Sequence, residues 1–202
     1  YGEGAAEELD CIPSTGGGAW LPLDLITAAE HPEAGVPGNY TGGPGYVGWD
    51  VARRGDLSVQ WAFELVGPRL WLRERVEMRG VRFAEQHDSF DRLMRVYRAV
   101  RAGVDQTGMG EAVVEEAQRR NGELRVDGVL LTGPRRLDLA TILKRRFEDG
   151  GIVIPHDPAV RTDLRAIKRI AGPTGAPRLA EGDVHPDRFW AAALACAAAE
   201  EV

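Results

Sequence analysis

The chain has 202 residues, enough for one domain with a substantial core, or for one domain and an extension. Its net charge of −6 arises in residues 1–45, which contain seven acids and no Lys or Arg, while residues 46–202 carry 24 acids and 25 bases. A polyanionic substrate is therefore not excluded for that larger part. Neither a signal peptide nor a long apolar span is found, which favours a soluble protein. The two cysteines, Cys11 and Cys196, are too few to indicate a zinc site or a disulfide framework, and favour a reducing compartment.

Three strands are predicted first. Residues 46–52 are continuously apolar, as in a strand covered on both faces. Residues 57–65 alternate between apolar and polar side chains, and residues 70–78 do the same after a Gly-Pro turn, so three antiparallel strands are the simplest interpretation.

A helical period then begins near residue 82, followed by a strand at 101–105, a helix at about 111–121, a strand near 126–131 and a helix at 135–149. The order βββαβαβα places the fourth and fifth strands parallel to the first. A short strand at 152–154, a basic helix at about 158–170, a Gly/Pro loop at 172–177 and a closing helix from Pro186 complete the prediction.

Three aspartates lie where buried apolar segments meet the surface. Asp50 and Asp105 end two strands that should be adjacent and parallel, and open α/β sheets bind ligands at that edge. Asp187 falls in the first turn of the closing helix, next to backbone N–H groups that favour a carboxylate. Gathered together, these oxygen ligands would hold Mg²⁺ or Mn²⁺. Taken singly, each aspartate could instead be a turn or helix cap.

These segments resemble a known family. Gly48-Trp49-Asp50, residues 104–110 (Val-Asp-Gln-Thr-Gly-Met-Gly) and residues 185–191 (His-Pro-Asp-Arg-Phe-Trp-Ala) resemble the three acidic motifs of the ribonuclease H-like nuclease domain of tailed-phage terminase large subunits, particularly the Mu-like kind. Residues 7–11 and 20–22 resemble the stretch that joins the packaging ATPase to that nuclease. No phosphate-binding loop of the P-loop type is present.

The resemblance implies a mixed α/β sheet of five or more strands with helices on both faces. It also implies metal-dependent cleavage of double-stranded viral DNA during genome packaging, with Asp50 bridging two cations and Asp105 and Asp187 each holding one. Residues 1–45 would be a connector from a missing ATPase motor domain, and residues 46–202 the nuclease. The implied partners are DNA, the portal protein and the small terminase subunit, in the host cytoplasm and without a membrane. Because the chain starts at Tyr1 and lacks an initiating Met, we expect a fragment of a longer protein.

Further residues are weaker candidates for the site. Asp56 could support a turn or assist the metal site, Asp183 competes with Asp187 as the third ligand, and His185 could be a polar neighbour or a base. Gly108 and Gly110 could cradle a phosphate, although a helix-opening role is the simpler interpretation. A basic stripe could bind DNA phosphates or be a solvated helix face; it comprises Arg161, Arg165, Lys168 and Arg169.

Two rival functions remain. Actin-like kinases and ATPases share a related sheet and also place an aspartate near the first hairpin, but the chain is too short for their two lobes. A docking module without catalytic activity, which would hold the motor to the portal or to the small subunit, is the second rival. Retention of all three acids argues against it.

Overall fold

The structure is a computed structural model that describes residues 18–52, 57–171, 177–182 and 185–200. Within these residues, the α-helices are α1 (Leu23–Ala29), α2 (Phe83–Val96), α3 (Gly110–Asn121), α4 (Gly133–Glu148), α5 (Pro158–Ala166) and α6 (Asp187–Ala198). The strands are β1 (Gly45–Asp50), β2 (Leu57–Val66), β3 (Arg69–Arg79), β4 (Ala99–Asp105), β5 (Val126–Val129), β6 (Ile152–Val153), β7 (Ile167–Ala171) and β8 (Pro177–Glu181).

The main sheet has six strands in the order β5-β4-β1-β2-β3-β6. Strands β1, β2 and β3 pair antiparallel, while β4 pairs parallel with β1, and β5 parallel with β4. This part of the sequence-based prediction is confirmed. The sixth strand, β6, adds parallel to β3 at the far edge.

Helices cover both faces of the sheet. On one face, apolar side chains of α1, α4, α5 and α6 form a core with β2 and β3; on the other, α2 and α3 pack against β1 and β4. Strand β1 serves both cores because its side chains alternate: Tyr46 belongs to the first, and Val47 and Trp49 to the second. No described helix is long and apolar enough to cross a membrane.

The segment before β1 packs onto the same body. Trp20, Leu21 and Ile26 belong to the core beneath α4 and α6, and the Trp20 Nε1–H donates a hydrogen bond to the Ala140 carbonyl at 2.8 Å. Residues 18–45 are therefore in close contact with the sheet and its helices. Whether they also join an ATPase domain, as the sequence predicts, stays a prediction.

The basic helix predicted at about 158–170 is confirmed as far as residue 166 and is wrong in its last four residues. Helix α5 ends at Ala166, and residues 167–171 form β7, which pairs antiparallel with β8 in a separate two-stranded sheet. Residues 18–20 extend this ladder: Trp20 N–H donates to the Ile167 carbonyl and Arg169 N–H to the Gly18 carbonyl. Distant segments thus supply the hydrogen bonds that keep residues 167–171 extended, against the local four-residue spacing of the arginines. The loop predicted at 172–177 lies mostly outside the described residues.

Candidate metal site at the carboxyl ends of two parallel strands

Two of the predicted acids end neighbouring parallel strands. Trp49 pairs with Val104, so Asp50 and Asp105 follow at the same level of the sheet, one on β1 and the other on β4. Both side chains are buried, with relative exposures of 8% and 7%. The strand order therefore brings together two carboxylates that are 55 residues apart in the chain.

The third acid arrives on α6. Pro186 is the N-cap of this helix, and Asp187 is its first residue. The body of α6 lies directly on β1 and β4 because glycines leave room for it: a Cβ on Gly48 would be 1.9 Å from the Ala191 carbonyl oxygen, and one on Gly103 would be 2.8 Å from the Leu194 oxygen. The close approach brings the first turn of α6, with Asp187, to the edge where β1 and β4 end.

The charges of the other predicted acids act on Asp50. Burial raises the pKa of Asp50 well above its usual value, and the negative charges of Asp105, Asp187 and Glu181 raise it further. Within the described residues, no three acidic, His or Cys side chains are already arranged to hold a metal ion. Asp105, Asp187 and Glu181 are thus within electrostatic reach of Asp50. We name Asp50, Asp105, Asp187 and Glu181 the acid cluster.

Local contacts fix the strand ends that carry these acids. The Trp49 Nε1–H donates to the Ser58 Oγ at 2.9 Å, and the Ser58 hydroxyl donates to the Asp50 carbonyl at 3.2 Å. Beyond β4, one oxygen of Asp105 accepts the Thr107 N–H at 2.8 Å, so this aspartate also supports a turn. Gly110 begins α3 as predicted, and a Cβ there would be 2.4 Å from the Asp105 carbonyl oxygen.

Sequence reasoning missed Glu181 and the two residues that bind it. Glu181 ends β8, where its Oε1 accepts hydrogen bonds from Arg136 Nη2 on α4 and, at 2.9 Å, from Trp190 Nε1 on α6. The Arg136 guanidinium also lies over the Trp190 ring, 4.7 Å from the ring centroid. No motif joins these three segments, so only the folded chain shows that they meet.

The comparison with protein families decides the classification. The family model described as "Terminase RNaseH-like domain" matches residues 47–199, which is most of the chain and includes every described member of the acid cluster. The chain belongs to this family. Membership agrees with the resemblance that the acidic motifs indicate.

Relatives of this terminase RNaseH-like domain include the probable terminase large subunit gp28 of Escherichia phage Mu, 29% identical over 204 residues. The alignment covers 82% of the chain but 37% of gp28, so the chain spans little more than a third of that relative. Among solved structures, the large terminase nuclease of thermophilic phage G20c with bound magnesium matches with a TM-score of 0.73 and 18% identity, covering 92% of this chain and 98% of that one. The HK97 large terminase matches at a TM-score of 0.65 and 9% identity, over 88% of this chain and 43% of its own. The fold is therefore that of large terminase nuclease domains.

The remaining candidates of this terminase domain are only partly within the described residues. Asp56 and Asp183 lie outside the described residues, and His185 is exposed just before α6. Arg161 on α5 forms a bidentate ion pair with Glu30, at 3.0 and 2.6 Å. The stripe is thus divided between two elements, with Arg161 and Arg165 on α5 and Lys168 and Arg169 exposed on β7. The structure does not form them into one helix face.

Proposed function

We propose that this domain is a divalent-metal-dependent endonuclease that hydrolyses phosphodiester bonds of double-stranded DNA. The observation that carries the proposal is the burial of Asp50 among three further carboxylates where two parallel strands end. The negative charges of Asp105, Asp187 and Glu181 disfavour the ionised form of buried Asp50, and a bound cation would relieve that repulsion. Family membership supports the same conclusion.

The donor set fits hard divalent cations. All four groups are carboxylates, which suit Mg²⁺ and Mn²⁺ better than zinc or copper. Binding would also remove the repulsion that raises the pKa of Asp50. The G20c terminase nuclease, whose fold the chain shares, has been solved with bound magnesium.

Two such cations, when bound, would activate a water molecule and stabilise the leaving oxygen of a phosphodiester. Asp50, on which the charges of the other three acids act, is the proposed ligand of both cations, while Asp105 and Asp187 would each hold one. In the reaction, water loses a proton to solvent as its oxygen forms a bond to phosphorus, one bridging P–O bond breaks, and the released alkoxide gains a proton from solvent. No covalent intermediate with the protein is required.

The biological setting extends this proposal. As a nuclease of the terminase family, the domain would cut viral DNA during genome packaging in the host cytoplasm. An ATPase motor domain would belong to the same full-length protein, and the portal and the small terminase subunit would be its partners. The part of gp28 that this chain does not match leaves ample length for such a motor.

Plasmid cleavage tests the proposal. We expect relaxation or linearisation of supercoiled DNA with Mg²⁺ or Mn²⁺, and none in excess chelator. Asp50→Asn and Asp105→Asn should abolish cleavage because each keeps the side-chain shape but removes a charge that holds the cation. Mn²⁺ should also raise the unfolding temperature of the wild type and not that of Asp50→Asn, since a ligand stabilises only the state that binds it.

The same assay separates the rival functions. Cleavage that persists in chelator, or that requires zinc, would contradict the proposal. A folded domain that neither cuts DNA nor gains stability from Mg²⁺ or Mn²⁺ would favour a docking module. Stabilisation by Mg²⁺ together with ATP, and not by Mg²⁺ alone, would favour an actin-like nucleotide-binding enzyme.

A further inference from the structure

Arg136 faces the acid cluster from α4. It lies in the first turn of that helix, which begins beyond the end of β5 and thus at the same edge of the sheet as Asp50 and Asp105. Its charge is close enough to Asp50 to lower the pKa of that carboxyl, against the acids that raise it.

The Arg136 guanidinium has a hydrogen-bond donor that is not used within the described residues. Its Nη2 binds Glu181, but its Nε–H is buried and has no hydrogen-bond partner among the described residues. A buried donor without a partner costs about 1–3 kcal/mol, so its presence at a functional site calls for an explanation. The side chain remains 35% exposed, which lets an incoming group reach it.

Trp190 holds Arg136 in place independently of Glu181. The guanidinium lies 4.7 Å from the Trp190 ring centroid, and Trp190 is itself buried in α6, three residues after Asp187. Glu181 is bound in turn by the Trp190 Nε1–H. Arg136 can therefore exchange Glu181 for another acceptor while it keeps its stacking contact and its orientation.

Charge balance identifies the class of that acceptor. With all four carboxylates ionised, the acid cluster and Arg136 together carry three negative charges. Two divalent cations would turn this into a single positive charge, which matches one phosphodiester. A guanidinium beside two cations presents the planar fork of donors that binds phosphate oxygens in pairs.

We propose that Arg136 binds the phosphate that is cut at the acid cluster, and that Glu181 and Trp190 hold its guanidinium ready until DNA arrives. This inference rests on the proposed nuclease function and adds to it a catalytic residue from α4. Arg136 neutralises the charge that grows on the phosphate oxygens as water attacks. Glu181, once released, becomes available to the cations as a fourth carboxylate.

The test is the cleavage kinetics of Arg136→Ala in Mn²⁺. Loss of one donor group to a transition state costs roughly 100-fold in kcat. The KM for plasmid DNA should change little, because many other phosphate contacts determine binding. Guanidinium chloride at millimolar concentration should restore part of the rate, since the free ion fits the space left beside Trp190. It should restore nothing in Asp50→Asn.

Arg145→Ala is the matched control. Arg145 lies on the same helix and pairs with Glu200, just beyond the end of α6, at 2.8 Å. It is nine residues from Arg136, about 13 Å along the helix. Removal of this ion pair should leave kcat unchanged.

Arg136→Lys keeps the test decisive if the alanine variant does not fold. It retains the charge but loses the fork, so kcat should fall about 10-fold at wild-type stability. A wild-type kcat in Arg136→Ala or Arg136→Lys would overturn the inference. A fall in kcat that guanidinium does not rescue, together with a lower unfolding temperature, would overturn it as well. A wild-type domain that cuts no DNA under any metal would instead remove the proposed function itself.

Discussion

Gly48 on β1 lies directly under the Ala191 carbonyl of α6, so closely that a methyl group at Gly48 would be 1.9 Å from that oxygen and 2.6 Å from the Ala195 nitrogen. Both neighbours are backbone atoms of a buried helix, which no rotamer change can move. Two residues after Gly48 the strand delivers Asp50, and one turn before Ala191 the helix delivers Asp187. This contact therefore sets the distance between the first and third acids.

Gly48→Ala should damage the domain in two ways. Overpacking of this kind costs about 3 kcal/mol in unfolding free energy, and the displacement of α6 that relieves it should lower cleavage about 100-fold in the molecules that remain folded. Urea denaturation and plasmid nicking measure the two effects. Gly38→Ala is the control, because a Cβ there meets nothing within 4 Å. Wild-type stability in Gly48→Ala would show that α6 does not lie this close to β1.

Asp187 and Asp183 compete for the role of third ligand. We expect Asp187→Asn to abolish cleavage, because Asp187 begins α6 and its charge acts on Asp50. Asp183→Asn should be milder. Cleavage rates in Mn²⁺, with circular dichroism to confirm folding, decide between them. An inactive Asp183→Asn beside a nearly normal Asp187→Asn would reverse the assignment.

DNA contact by the basic residues stays a proposal, and the structure separates its members. Lys168 and Arg169 are exposed on β7, so their replacement by Ala should flatten the slope of log affinity against log salt by roughly 0.9 each. The loss should be alike on unrelated DNA sequences, since phosphate contacts do not read bases. Arg161→Ala should mainly reduce stability, because it leaves the nearly buried Glu30 without its bidentate partner. An unchanged slope in the Lys168/Arg169 double variant would place the DNA path elsewhere.

His87 should make stability depend on pH. Its ring is buried edge-on against Trp49, and burial, followed by the charge of Arg120, lowers its pKa below the usual 6.5. The unfolded chain therefore binds a proton before the folded one does, so the contribution of His87 is complete above pH 6.5 and declines as the pH falls below it. Denaturation between pH 7.5 and 5 should show this decline in the wild type and not in His87→Gln. If His156→Gln instead abolished the decline in stability, His156 and not His87 would be its cause.

Much of the fold could be predicted from the sequence because local patterns of apolar and polar residues indicate its strands. Leu57, Val59, Trp61 and Phe63 alternate with polar neighbours, and Asp50 and Asp105 each follow an apolar segment. The exchange of helix for strand at residue 167 could not be predicted, since the extended backbone depends on pairing with residues 18–20 and 177–181. The place of Glu181 in the acid cluster could not be predicted for the same reason. Its partners Arg136 and Trp190 belong to two other elements. The three residues meet only in the folded chain, so their spacing in the sequence does not indicate the contact.

The short ladder between residues 18–20 and β7 has a mechanical consequence. Tension on the chain ahead of Gly18 would act along this strand and load its two backbone hydrogen bonds in shear, with the buried Trp20 side chain as the anchor behind them. The element that bears this load, β7, is the partner strand of β8, whose last residue is Glu181. Because Ile167 of β7 accepts the Trp20 N–H and pairs with Glu181 of β8, strain that enters through residues 18–20 would cross one pair of strands to reach the carboxylate whose charge acts on Asp50.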